Sequence, residues 1–118
     1  MGATYIHEGN AIDFVPGTQV NAGDVVVVGD LVGVARVEIK ANQRGSLAVT
    51  GVFEFPKASG EVIGAGQQLY WDHVAKRVAT SSDYGGYKRL GHAVAYAGSG
   101  EVKVQVRLMS GFPEVPDL

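Results

Sequence analysis

The chain lacks cysteine altogether and has only four prolines and one tryptophan among its 118 residues. Without cysteine it can form neither disulfide bonds nor thiolate metal sites, so packing and assembly must supply its stability. No apolar run approaches the roughly 18 residues that a membrane-spanning helix needs, and residues 1–5 lack the basic and apolar regions of a secretory signal. The sequence therefore predicts an unexported protein without a membrane partner.

A strong charge of either sign is also lacking. The chain has ten Lys and Arg against twelve Asp and Glu, which gives a net charge of −2. Basic residues are adjacent only at Lys76-Arg77 and Lys88-Arg89, so no basic patch is available to neutralise a phosphate backbone. We expect no nucleic-acid partner.

Motifs that carry catalysis or bind metal are missing as well. His7, His73 and His92 stand far apart and show no spacing that would place two imidazoles on one metal ion. No serine lies in a G-x-S-x-G nucleophile elbow, and the carboxylates are scattered along the chain. We expect no enzymatic activity and no bound cofactor or metal.

Glycine and valine are what the chain has in abundance. Seventeen glycines separate short runs rich in valine, a pattern typical of short antiparallel strands joined by tight turns. We therefore predict an all-β protein in which residues 1–118 form a single compact domain, a β-barrel or a β-sandwich. Two extended ends are expected: an N-terminal arm, residues 1–8, and a C-terminal tail, residues 110–118, whose two prolines preclude a central strand.

Alternating apolar residues predict two long strands, each with one buried face. The first spans 101–108, and the second spans 46–55 and ends at Pro56, with Gly51 as a bulge or close-packing point. The predicted buried residues are Val102, Val104, Val106 and Leu108 in the first, and Leu47, Val49, Phe53 and Phe55 in the second.

Three further strands are predicted. Residues 25–28 are apolar on both faces, as in a central strand, and Gly29-Asp30 predicts a hairpin turn into a strand over 31–39. The strand over 87–96 has one face of very small residues, against which another sheet or chain would pack closely. In the strand over 31–39, the residues predicted to share one face are Leu31, Val37 and Ile39. In the strand over 87–96, one face has Leu90, His92, Val94 and Tyr96, and the opposite face has Gly91, Ala93 and Ala95.

The chain also contains a weak internal echo. Ala22-Gly23-Asp24 opens a strand pair that ends near Ala35, and Ala65-Gly66-Gln67 opens one that ends near Ala79. Two related hairpins would then form the two halves of the barrel or sandwich, unless the likeness reflects only shared turn chemistry.

Several segments together resemble a known family. They are Ala22-Gly23-Asp24 with the valine run after it, the block at 51–60 (Gly-Val-Phe-Glu-Phe-Pro-Lys-Ala-Ser-Gly), Leu69-Tyr70-Trp71-Asp72, Leu90-Gly91-His92-Ala93 and the final Val-x-Val-x-Leu strand. In this order they resemble small tailed-phage and prophage proteins that act as capsid cement, or decoration, proteins. Members have sometimes carried a recombinase label, but the phosphate-binding loop G-x-x-x-x-G-K-[ST] does not occur here.

The resemblance implies a non-enzymatic protein that attaches to the outside of an assembled capsid and stabilises it. Its partners would be the major capsid protein and, by analogy with decoration proteins, two further copies of itself in a homotrimer. It would be made in the cytoplasm of the host bacterium and reside on the virion. Candidate capsid contacts are Thr4, Tyr5, Ile6 and His7 of the N-terminal arm, and candidate subunit-interface residues are Phe53, Phe55, Tyr70, Trp71 and His92.

Two other functions stay open at this point. Gly23-Asp24 and Gly29-Asp30, followed by Lys40, resemble the strands and lysine hairpin of lipoyl or biotinyl carrier domains, although Ile39 replaces the aspartate expected before that lysine. A carbohydrate-binding β-module would instead need a platform of exposed aromatic rings, for which the candidates are Tyr70, Trp71, Tyr84 and Tyr87.

Overall fold

A computed structural model of the protein describes residues 2–6, 9–83 and 85–109. Within those ranges the chain forms nine strands and no helix. The strands are β1 (Ala11–Phe14), β2 (Val25–Val28), β3 (Leu31–Ala35), β4 (Gly45–Ala48), β5 (Thr50–Pro56), β6 (Gln68–Asp72), β7 (Arg77–Ala79), β8 (Lys88–Ala93) and β9 (Lys103–Met109). The prediction of an all-β protein is confirmed.

The strands form two sheets in which every pairing is antiparallel. The four-stranded sheet has the order β1-β4-β3-β2, and the five-stranded sheet has the order β5-β9-β8-β6-β7. Neither sheet closes on itself, so of the two predicted architectures the sandwich is the one observed.

The main core lies between the two sheets. Its large side chains come mostly from the five-stranded sheet, and Val32 and Val34 of β3 cover them from the other side. The rings of Phe53, Phe55 and Trp71 pack edge to face, with centroids 6.3 Å apart for the first pair and 6.0 Å apart for the second. Such contacts add to the apolar area that drives folding.

A second cluster covers the other face of the four-stranded sheet. Its buried members are Val20, Ala35, Ile39 and Leu47. The loops before β2 and after β3 close over it, joined by paired backbone hydrogen bonds of 2.9 and 2.8 Å between Val20 and Ile39. The four-stranded sheet is therefore apolar on both sides.

This second cluster explains the continuous valine run. Val25 and Val27 pack against the main core, whereas Val26 packs against the second cluster. The prediction that β2 is a central strand is nevertheless wrong, because β2 is an edge of its sheet and Val28 is exposed. The predicted turn at Gly29-Asp30 does join β2 to β3.

The predicted strand over 46–55 is in fact two strands in different sheets. The chain passes from β4 to β5 at Val49, whose amide donates to the carbonyl of Asn10. Leu47 therefore packs in the second cluster and Phe55 in the main core, so they do not share a face as predicted. Gly51 has φ +116°, a backbone conformation that favours glycine.

Alternation also overestimated burial beyond several strand ends. Val102 precedes β9 and is 57% exposed, whereas Val104, Val106 and Leu108 are buried as predicted. Val37 follows the end of β3, and Val94 and Tyr96 follow the end of β8; all three are exposed. These apolar residues continue the pattern after the strand has ended, and single exposed apolar side chains are common in soluble proteins.

The small face of β8 has close neighbours on two sides. Ala93 is buried in the main core, and β8 contacts β3 of the other sheet, so another sheet packs on this face as predicted. Gly91 is in addition close to the adjacent strand, because a Cβ atom added there would lie 1.9 Å from the carbonyl oxygen of Arg107 in β9.

The internal echo corresponds to a repeated hydrogen-bonding pattern. Gly23 donates to the carbonyl of Ala35, whose amide donates back to Asp24, and Gly66 and Gln67 make the same pair of bonds with Ala93. An isolated bridge follows in each half, Val20 with Ile39 and Ile63 with Ala97. The second strand pair thus consists of β6 and β8 and ends at Ala93, not near Ala79. Strand β7 lies between them in the sequence but at the edge of the sheet.

The topology repeats in the same way. In the four-stranded sheet the chain order β1, β2, β3, β4 gives the spatial order β1-β4-β3-β2. In the five-stranded sheet β5, β6, β8 and β9 give the equivalent order β5-β9-β8-β6, with β7 added at the edge. The sandwich therefore consists of two copies of one four-stranded unit, and the shared turns are part of that repeat.

An ion pair between described residues connects the two sheets. Lys88 Nζ of β8 lies 2.8 Å from Asp30 Oδ1, in the turn between β2 and β3. The hydrogen bond and the positive charge of Lys88 hold the pKa of Asp30 below its ordinary value. The pair is partly exposed, so salt screens it.

Replacing Asp30 with Asn should lower stability slightly at pH 7 and have no effect in acid. A carboxylate whose pKa is lowered by folding stabilises the folded state above its unfolded pKa, and the contribution is lost as the pH falls through the folded pKa. Thermal unfolding of wild type and Asp30→Asn should therefore converge once the pH falls below the lowered pKa of Asp30, and also at high salt. Asp13→Asn, in an exposed position of β1, is the control; a gap that persists in acid would contradict the prediction.

Candidate interaction surfaces

The described part of the N-terminal arm is exposed. Residues 2–6 belong to no strand, and the first strand begins only at Ala11. Tyr5 is 76% exposed and Ile6 is 78% exposed, and Thr4 is exposed as well. His7, the fourth predicted capsid contact, lies outside the described residues. This segment therefore presents two large apolar side chains that the sheets do not cover.

The outward face of the five-stranded sheet is a second accessible surface. Pairing places Val52, Arg107, His92 and Gln68 side by side across β5, β9, β8 and β6, since opposite residues in antiparallel strands point to the same side. His92 is half-buried in this row. Tyr70 is also half-buried, and its hydroxyl accepts a hydrogen bond of 2.6 Å from Gln68 Nε2.

The predicted subunit-interface residues do not form one surface. Phe55 and Trp71 are 2% and 5% exposed and belong to the main core, so their side chains are not available to another subunit. Tyr70 and His92 lie on the outward face of the five-stranded sheet, whereas Phe53 is half-buried at the edge of the main core. Neighbouring Tyr70 and Trp71 point to opposite sides, as alternation predicts.

The aromatic residues considered for carbohydrate binding do not form a platform either. Trp71 is in the core, and Tyr84 lies outside the described residues. Tyr87 is half-buried, and its hydrogen bond with Asp72 raises the pKa of its hydroxyl. Among the described residues, Tyr70 and Tyr87 are thus the partly accessible rings of that set, and neither is fully exposed.

Asp72 organises the turn between β6 and β7. Its Oδ1 accepts hydrogen bonds of 3.0 Å from the amides of Val74 and Ala75. The bond from Ala75 is the main reason that the pKa of Asp72 lies below its ordinary value, although burial acts in the opposite direction. This carboxylate therefore stabilises a turn.

Lys57 is a buried cation that the sequence did not bring to attention. Its side chain is 4% exposed, and Nζ donates to the carbonyls of Ala58 and Glu61 at 2.9 and 2.5 Å. Those bonds compensate for burying the ammonium group and hold the turn after β5. Lysine directly after a strand-ending proline is not by itself a signal for such a bond.

Within 2–6, 9–83 and 85–109, no group of three or more His, Asp or Glu side chains could hold a metal ion. Over the same ranges, no helix is long and apolar enough to cross a membrane. Lys40, the residue that suggested a carrier domain, is exposed in a turn directly after buried Ile39.

Comparison with known families identifies the chain's relatives. A family model described as phage cement protein matches residues 6–108. The chain belongs to the phage cement protein family. The match includes all nine strands except the last residue of β9, and it leaves out residues 1–5 and the C-terminal tail. No curated protein and no solved structure matches the chain significantly.

Proposed function

We propose that this protein binds the outer surface of an assembled phage capsid and stabilises the shell without catalysis. The observation that carries the proposal is the family match, which spans both sheets of the sandwich and not a short motif. A cement protein acts by the area that it buries between itself and its neighbours. Its partner would be the major capsid protein, and its location the exterior of the virion.

The N-terminal arm is the proposed capsid contact. Thr4, Tyr5 and Ile6 are exposed and pair with no strand of the chain's own sheets, so their backbone groups are available to another protein. An extended segment of this kind can add a strand to an exposed sheet edge, where backbone hydrogen bonds provide attachment and alternate side chains provide register. His7 would continue the same contact.

We further propose that the protein assembles as a homotrimer through surfaces that include Tyr70 and His92. Both residues lie on the outward face of the five-stranded sheet and are only half-buried. Aromatic side chains with a polar group are enriched at interfaces because they combine apolar area with a hydrogen bond. Phe53 is a third candidate, since part of its ring is not covered by the main core.

The purified protein should bind expanded capsids of its own phage and raise the temperature at which they release DNA. Deleting residues 1–7 should weaken binding at least tenfold, because the arm would supply the backbone pairing, and should leave the fold intact. Co-sedimentation with capsids measures binding, and circular dichroism of the free protein measures the fold.

A matched pair of variants separates the arm from general surface hydrophobicity. Ile6→Ser should reduce capsid binding, whereas Val74→Ser should not, because both side chains are similarly exposed and only Ile6 belongs to the arm. If Val74→Ser has the same effect, the arm is not the contact. If the intact protein neither binds nor protects capsids, the proposed function is wrong.

A further inference from the structure

Strand β5 has a free edge, the side away from β9. It is the last strand of the five-stranded sheet, and within the described residues no strand pairs with its other side. The amide of Lys57, directly after β5, donates to the chain just before β9. Hydrogen bonds alternate along an antiparallel ladder, so Phe53 and Phe55 bond to β9. The amides and carbonyls of Val52 and Glu54 therefore point to the free edge.

The far side of β9 shows the same alternation. The carbonyl of Gln105 accepts a hydrogen bond of 3.0 Å from the amide of Val94, just beyond β8. Gln105 lies opposite Glu54, and a residue that bonds to one neighbouring strand leaves the other unbonded. Pro56 occupies the next position of the free edge, where a missing amide hydrogen is tolerated. Val52 and Glu54 are thus the residues of this edge that can accept a further strand.

An open groove lies beside the free edge. Its volume is about 670 Å³, within the range of binding sites for small molecules. Residues 50–53 of β5 form one wall, and Ala11 of β1 with Ala48 of β4 belong to the other. Ala48 lies opposite both Ala11 and Val34, a residue of the main core, so these side chains point toward the five-stranded sheet. A strand added to β5 would lie over them, and their small size leaves room for larger side chains.

Two arginines border this site. Arg36 follows β3, is exposed and lines the groove, and Arg107 lies opposite Val52 on the outward side of the sheet. No ion pair to either arginine occurs among the described residues. The carboxylate of Glu54 lies 3.8 Å from Lys103 instead. Charge complementarity therefore favours an added segment that carries acidic residues.

We propose that β5 accepts an extended, acidic segment of a different protein as an added strand. The segment bonds to the backbone of Val52 and Glu54, its alternate apolar side chains lie over Ala11 and Ala48, and a carboxylate pairs with Arg36. In this mode of recognition the backbone bonds provide affinity, and the pockets for alternate side chains provide specificity.

This site is distinct from the N-terminal arm. Residues 2–6 of the arm pair with no strand of the chain's own sheets, so they do not cover the free edge. The arm would donate a strand to a partner, whereas β5 receives one. The two contacts are therefore independent, and loss of capsid binding on deletion of the arm would leave the β5 site intact.

Selection from a library of short random peptides tests the proposal. Peptides retained by the immobilised full-length protein should alternate apolar and polar residues and carry Asp or Glu. A synthetic peptide of the recovered sequence should slow hydrogen exchange of the Val52 and Glu54 amides by about tenfold or more. The amides of Phe53 and Phe55, which already bond to β9, are the internal control and should not change. Recovery of no peptide, or protection at another edge, would overturn the proposal.

Variants of the protein separate backbone pairing from charge. Val52→Pro removes a free-edge amide without removing a bond to β9 and should abolish peptide binding, with an unchanged circular dichroism spectrum. Arg36→Glu should weaken binding by about tenfold, and a peptide with Lys in place of its carboxylate should restore it. Lys40→Glu, exposed between β3 and β4 but outside the groove, should have no effect. Because Arg36→Glu alters an exposed side chain, it tests the site even where the proline variant unfolds; unchanged binding there would contradict the ion pair.

Hydrogen exchange in the free protein distinguishes a different protein from a second copy. Without peptide, the Val52 and Glu54 amides should exchange rapidly at low and high protein concentration alike. Protection that appears only at high concentration would mean that β5 pairs with another copy of this chain, which would overturn the proposal.

Discussion

Replacing Val104 with Asp is expected to unfold the protein at neutral pH. Val104 is 3% exposed, lies opposite Phe55 in the five-stranded sheet, and belongs to the main core. An unpaired carboxylate in such a place costs several kcal/mol, a large part of the roughly 5–15 kcal/mol by which a domain of this kind is stable. Circular dichroism and urea denaturation should show loss of the folded state at pH 7.

The position two residues earlier provides the matched control. Val102 has the same side chain and continues the same alternation, but it is 57% exposed before the start of β9. Val102→Asp should therefore change stability by no more than about 0.5 kcal/mol. If both variants unfold to the same extent, burial does not explain the effect.

Acid should partly rescue the Val104→Asp variant. Burial raises the pKa of a carboxyl group, so the charged form is penalised at neutral pH and the neutral form much less. Because the folded-state pKa lies above the unfolded one, the penalty shrinks as the pH falls toward the ordinary carboxyl value near 4. A loss of stability that did not depend on pH would indicate a steric cause instead.

These residues also show what the sequence can and cannot predict about this fold. Period-two alternation correctly identified Val104, Val106 and Leu108 as a buried face, because β9 has one apolar and one wet side. Alternation alone does not reveal where a strand stops, so Val102 was included. Apolar alternation also continues through Val49, where the chain passes from one sheet to the other. It continues because residues on both sides of Val49 are buried, Leu47 in the second cluster and Phe55 in the main core.

Interaction surfaces were predictable only where local sequence decides them. Alternation requires Tyr70 and Trp71 to point to opposite sides, but which of them enters the core depends on the pairing of β6 with β7 and β8. The accessible arm could be predicted because residues 2–6 precede the first strand pattern. The open groove lined by Ala11, Arg36 and Phe53 could not be predicted, because these residues meet only after both sheets have formed.

The repeat explains why two short echoes in the sequence were informative. Gly23 and Gly66 both have positive φ, +89° and +84°, and each donates a hydrogen bond that begins the same strand pair. Glycine adopts this conformation at low cost, so the turn leaves a trace in the sequence. The strands that follow these turns resemble each other less in sequence, because many apolar residues satisfy a buried strand face.

Gly91→Ala is expected to have the largest effect of a Cβ atom added at any glycine that the structure describes. Gly91 has φ +155°, and a Cβ atom there would lie 1.9 Å from the carbonyl oxygen of Arg107 and 3.0 Å from the amide nitrogen of Met109. Both atoms are backbone atoms of β9, which is paired on both sides, with β5 and β8. The strand therefore cannot move away without breaking hydrogen bonds to a neighbour.

A series of glycine substitutions makes this expectation measurable. Gly91→Ala should lower the free energy of unfolding by about 3 kcal/mol or more, from overpacking and backbone strain. Gly45→Ala should cost less, because Gly45 does not have a positive φ and its added Cβ would meet side-chain atoms of Ile39, at 2.5–2.6 Å, and not the backbone of a paired strand. Gly17→Ala meets nothing within 4 Å and should be neutral. Urea denaturation of the three variants should give this ranking; equal costs at Gly91 and Gly45 would mean that β9 yields as readily as a side chain, and that its pairing on both sides does not fix its position.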